Sequence, residues 1–190
     1  MRAQLAKTGA GALMALTMLA GCAVHQGTTG QAPTTQPAGY EEHNTADIAF
    51  AQQMIPIAQR AVALSDALLA KPDVDRDVAD MANSVKSIDG PEIPQLQAWL
   101  NDWGNPPDAK AGDVTVLATD PSIADVTNAD TATAARLFLQ QMIANRQQAM
   151  ELSKTESGQG EYRATVALAE ANEATQKRQI STMKNLLSTR

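Results

Sequence analysis

The chain has 190 residues, with 15 Lys and Arg against 21 Asp and Glu and a formal net charge of −6. That acidic balance argues against nucleic acid as a partner and against electrostatic docking on anionic lipid. A single cysteine excludes an intrachain disulfide, and two each of Trp, Tyr and Phe point to closely packed helices rather than a β-sandwich.

Arg2 and Lys7 form a positive N-terminal region, and Ala10 to Ala20 form a short apolar run. Both are features of a secretory signal, and the run is too short for a comfortable membrane span. It closes on Leu19-Ala20-Gly21-Cys22, which matches the lipobox of bacterial lipoproteins. The chemistry wants small residues before the cut and a thiol directly after it, because the thiol takes the diacylglycerol. Residues 1–21 therefore read as a signal peptide and Cys22 as the lipidated first residue of the mature chain. Each lipid CH₂ contributes roughly 0.8 kcal/mol when buried, so several chains on one cysteine anchor durably on the extracytoplasmic face of a membrane. Cleavage removes Arg2 and Lys7 and no acidic residue, which takes the net charge to −8.

Residues 23–42 are rich in Gly, Thr, Gln and Pro and read as a flexible tether. Residues 43–190 suit one domain. A first helix is predicted from near Asn44, with Asp47 as its capping partner, to about Ala70, kinked at Pro56. A second starts at Asp73 and carries Val74, Val78, Met81, Val85 and Ile88 on one face. Gly90-Pro91 is expected to interrupt it, and a further helical piece runs to Trp103 and stops at Gly104. Asp73, Asp75 and Asp77 sit at the helix start, where they favour the macrodipole.

Residues 105–129 carry prolines and glycines without helical period and read as a long crossover, with Val114–Leu117 available to pack on the bundle. A third helix is predicted from near Thr131 to before Gly158, and a fourth from about Gln159 to Thr189. The fold class is all-α: a four-helix bundle of two hairpins joined by a crossover. Phe50, Met54, Ile55, Ala61 and Leu64 repeat as Phe138, Met142, Ile143, Ala149 and Leu152 at an offset of 88. Ile93, Leu96, Trp99 and Leu100 repeat as Ile180, Met183, Leu186 and Leu187 at an offset of 87. The order suggests a duplicated helical hairpin, with repeats at about 43–104 and 130–190.

His43-Asn44, Asp47, Phe50 and Met54-Ile55-Pro56 resemble the opening of the "domain of unknown function 305" family. Glu92-Ile93 with Trp99-Leu100 and Trp103-Gly104 is similar to the end of its first hairpin, and Phe138-Leu139 with Met142-Ile143 to the start of its second. The resemblance spans residues 43–187. It implies a ferritin-like, duplicated four-helix fold in an exported bacterial protein. It also implies two pairs of adjacent histidines, one after each Met-Ile, in members associated with metal and chiefly copper. Here those pairs are replaced by Ile57-Ala58 and Asn145-Arg146. The family's Gln-x-x-Glu becomes Asp89 and Glu92 in the first copy and Gln176 and Gln179 in the second.

Ile and Ala ligate nothing, and arginine stays charged. No dedicated copper site in the bundle core is therefore expected, and no cofactor is predicted. The copper alternative keeps His43, Asp47, Met54 and Met142 as candidate ligands, although Met at helical spacing usually fills a core. Arg146, Asp89 and Glu92 are candidates for a polar pairing site in place of the metal, unless Arg146 points to solvent. No nucleophile with its base, no phosphate loop, no HExxH and no Glu-x-x-His occurs, so no enzyme is expected. Three classes remain open: a partner-binding module in the envelope, a copper-binding protein, and a small-ligand carrier.

Overall fold

The computed structural model describes residues 42–107, 117 and 119–189. The signal segment, Cys22, His25, nearly all of the tether and Val114–Val116 lie outside the described residues. Five helices follow in chain order: α1 (Thr45–Leu69), α2 (Arg76–Asp102), α3 (Pro121–Asn128), α4 (Thr131–Gln159) and α5 (Arg163–Ser188). No strand occurs among the described residues.

Local chemistry sets most of the boundaries. Asn44 Oδ1 accepts from the N–H of Ala46 at 2.7 Å, and Asp47 Oδ2 accepts from the N–H of Asn44 at 2.6 Å. This reciprocal capping box starts α1. Helix α2 starts three residues later than the sequence suggests. Asp73 takes a positive φ of 53° in the turn, and Asp75 is the residue that caps, accepting from the N–H of Asp77 at 2.9 Å. At the far end Gly104 adopts φ 69°, with Asn105 N–H bonding Leu100 O at 2.8 Å and Gly104 N–H bonding Asn101 O at 3.1 Å. That pair of bonds is a Schellman motif, which needs the left-handed residue that glycine supplies.

Three further expectations are corrected. Helix α2 is continuous through Gly90-Pro91 and Pro94. Each proline removes one backbone donor, but the buried stripe Val85, Asp89, Glu92, Leu96 and Leu100 runs straight across them, and packing outweighs the lost bonds. The crossover is not without helix, because α3 lies within it. Asp120 caps α3 from the position before Pro121, and Arg60 of α1 holds Asp120 at 3.0 Å. Finally, α4 runs through Gly158 to Gln159, and α5 begins only at Arg163.

Short turns make α1–α2 and α4–α5 antiparallel hairpins. Side-chain contacts fix how the hairpins meet. Asn44 Nδ2 donates to Gln159 O, Asn145 Nδ2 to Ile57 O and Thr131 Oγ1 to Pro72 O. As one number in each pair rises the other falls, so α1 and α4 also run antiparallel. The core is divided in two. One apolar cluster gathers Leu64, Leu68, Val78, Val85, Phe138 and Leu139, and the other Phe50, Ile55, Leu96, Leu100 and Ala169. Along every long helix except α1, buried polar residues separate the two.

Candidate functional site

That separating layer is the candidate site. It consists of Asp89 and Glu92 from α2, Asn145 and Arg146 from α4, and Asn172, Gln176 and Gln179 from α5, all buried. Helix α1 contributes Ile57 and Ala58, also buried. All four positions at which the resemblance implies histidine therefore lie inside the bundle.

Arg146 is the largest fully buried side chain, and its guanidinium forks onto Asp89. NH1 donates to Oδ1 at 3.2 Å and NH2 to Oδ2 at 2.5 Å, with side-chain exposures of 2% and 5%. Burial pushes the Asp89 carboxyl above its ordinary value, and the charge and hydrogen bonds of Arg146 pull against it. Glu92 belongs to the same layer without bonding Arg146. It accepts instead from Asn172 Nδ2, at a long 3.4 Å. Burial first, and the Asp89 carboxylate second, push Glu92 up to about 7. The sequence candidates Arg146 and Asp89 thus meet directly, and Glu92 is a neighbour rather than a third arm.

A second polar centre lies where α1 starts and the α4–α5 turn passes over it. Asp47, fully buried, accepts on Oδ1 from the N–H of Tyr162 at 3.0 Å and from Thr165 Oγ1 at 2.7 Å. On Oδ2 it accepts from the N–H groups of Asn44 and Glu161, the latter at 3.2 Å. Burial alone would raise its pKa, but hydrogen bonds from Glu156, Asn44, Thr165 and Tyr162 outweigh that and hold it below the usual carboxylate range. Asp47 is therefore committed to capping and to joining the hairpins, not free to hold a metal.

Glu156 of α4 packs against Asp47, a contact that no motif or spacing marks. Glu156 is buried, with its two oxygens enclosed beside Asp47 and Thr165. A hydrogen bond between the two carboxyls requires Glu156 to carry the proton. Burial, and then the contact with Asp47, push Glu156 up to about 7 against the opposing pull of Thr165. Gly160 makes room for it, since a Cβ there would meet Glu156 Cδ at 2.7 Å.

The remaining candidates are placed elsewhere. His43 stacks on Trp103 with ring centroids 4.8 Å apart, in an aromatic group completed by Trp99 and Tyr162. Met54 and Met142 are buried in different apolar clusters. Among the described residues no group of three or more His, Cys, Asp or Glu is arranged to hold a metal ion. No helix among them is long and apolar enough to cross a membrane.

Solved structures share this architecture. A DUF305 fragment from Deinococcus radiodurans matches with a TM-score of 0.66 and 22% identity, over 77% of this chain and 98% of its own. A DUF305 protein from Streptomyces coelicolor, described as secreted, matches with a TM-score of 0.67 and 22% identity, over 76% and 93%. CopM in its Cu(I)-bound form matches with a TM-score of 0.61 and 21% identity, over 75% and 96%. Among curated proteins no sequence matches. The model of the domain of unknown function DUF305 matches residues 47–187, nearly the whole helical unit with both polar centres inside it, and the chain belongs to that family.

Proposed function

We propose that this protein is a lipid-anchored, extracytoplasmic helical module that works by binding a partner rather than by catalysis, with its bundle centre closed by an ion pair instead of a metal. The observation that carries the reading is the buried Arg146–Asp89 fork. It occupies the layer to which the family pattern assigns histidines. Copper takes imidazole, thiolate and thioether donors. The layer offers carboxylates, amides and a permanent guanidinium cation, a donor set that does not fit copper. The anchor rests on Leu19-Ala20-Gly21-Cys22.

The rival reading is a copper-binding envelope protein, favoured by the likeness to copper-bound CopM. Titration of residues 23–190 with Cu(I) and Cu(II) against a competing chelator separates the two. The expected result is no affinity beyond that of a His43→Ala, Met54→Ala variant. Tighter stoichiometric binding by the unmodified chain overturns the ion-pair reading. For the anchor, the full chain is expected in the detergent phase of a cloud-point partition and Cys22→Ser in the aqueous phase. Equal partitioning of the two would remove Cys22 from the reading.

A further inference from the structure

The central layer contains more polar groups than the protein has partners for. Asn145 uses Nδ2 on Ile57 O, Arg146 uses both terminal nitrogens on Asp89, and Asn172 reaches Glu92. Four enclosed atoms of the same layer are left without a protein partner: Asn145 Oδ1, Arg146 Nε, Gln176 Oε1 and Gln179 Nε2. Their residues are only 2%, 2%, 4% and 7% exposed. Four such groups left unmade would cost as much as the whole stability of an ordinary domain, so something satisfies them.

The kinds of atom narrow what that is. Two are acceptors and two are donors. A cation would satisfy the acceptors and leave Arg146 Nε and Gln179 Nε2 unmet, and an anion would do the reverse. Asp89 and Arg146 already balance each other's charge. A small, neutral molecule that both donates and accepts can satisfy all four, and water is the smallest that does both.

We propose that the central layer is a hydration site, in which a small cluster of ordered water molecules bridges Asn145, Arg146, Gln176 and Gln179. The packing points to entry between α2 and α5. These two helices approach each other less closely than α1 and α2 or α4 and α5 do. Layer residues on that side, Glu92 and Gln179, are the more exposed, and Asn145 and Arg146 the least. The proposal concerns the layer's occupant and does not depend on the anchor or on the absence of copper elsewhere.

The test is a crystal structure of the intact helical chain at about 1.5 Å or better, with water–amide cross-relaxation measured in solution on the same protein. At least two ordered solvent peaks are expected within about 3.2 Å of the four atoms, with long-lived water contacts at the side-chain amides of Asn145 and Gln179. In Gln179→Met, which keeps the length and removes the donor, at least one peak should vanish while the fold persists. A dry layer, with Gln176 and Gln179 turned to pair directly, overturns the proposal. So does a peak with the coordination distances of a metal ion, or a Gln179→Met structure that keeps every peak.

Discussion

Arg146 decides how the bundle centre behaves. A guanidinium surrounded by protein loses its hydration, and only the fork onto Asp89 compensates. Removing one partner leaves the other charge buried and alone, which costs about 3–5 kcal/mol. Arg146→Ala is therefore expected to lower the melting temperature by roughly 10 °C, at about 2–4 °C per kcal/mol for a domain of this size. Replacing both partners by apolar residues, Arg146→Met with Asp89→Leu, should recover most of that loss, because the pair contributes little net stability beyond its own desolvation. Thermal unfolding of the three proteins checks this. If Arg146→Ala melts with the unmodified chain, the fork is not what closes the centre.

At the scale of elements, the four long helices are legible from their apolar period, and their ends are legible where a cap marks them, as at the start of α1; α5, whose N-cap Tyr162 makes no side-chain cap bond, has no such mark. Asn44 with Asp47 gave the start of α1, and Gly104 the end of α2. Two of the differences arise where proline looks like a break and is not, at Pro91 and at Pro121, and a third where Gly158 looks like a stop inside α4. Pro121 stands at the first position of α3 behind the capping Asp120, where proline favours a helix rather than ending one. Pro91 and Pro94 are interior, and a buried stripe that no local rule weighs keeps α2 whole. The Arg146–Asp89 pairing was readable only through the family register, which marks both positions. Glu156 was not readable at all, because it meets Asp47 from more than a hundred residues away. Gly160 is the local trace of that contact, and it sets a prediction for the α4–α5 turn. Gly160→Ala forces Glu156 to move and should cost about 1–3 kcal/mol, as overpacking does. In a Glu156→Ala background the side-chain part of that cost should disappear while the contact of a Cβ with the Glu156 carbonyl oxygen at 2.9 Å remains, and a double-mutant cycle by urea unfolding measures the difference. Simple additivity would mean that Gly160 is not there to admit Glu156.

For the whole molecule, the 88-residue offset and the antiparallel contact of α1 with α4 intersect at Ile57 and Asn145, which are 88 apart and bonded to each other. The polar layer thus lies where the two hairpins of the ferritin-like bundle face each other, and it holds one of two buried carboxyls pushed up to about 7, Glu92; the other, Glu156, joins the hairpins at the end of the bundle. Their effect on stability has one sign. Between about pH 4.5 and 7 the unfolded chain releases these protons while the folded chain keeps them. Stability is full below the unfolded pKa and is lost as pH rises through the folded one, with a slope of up to about 1.4 kcal/mol per pH unit for each group. Asp47 acts oppositely: its lowered pKa gives stability that is present above its ordinary value near 3.8 and lost as pH falls further. The protein is therefore expected to be most stable near pH 4–5 and to weaken steadily toward pH 7.5, read as urea midpoints at constant m-value. Glu156→Gln stays neutral at every pH and keeps a donor for Asp47, so it should remove a clear part of that decline, and with Glu92→Gln most of it, the raised Asp89 carboxyl accounting for what remains. A flat midpoint from pH 4.5 to 7.5 in the unmodified chain would show that neither carboxyl keeps its proton on folding, and the bond from Glu156 to Asp47 would have to be abandoned with it.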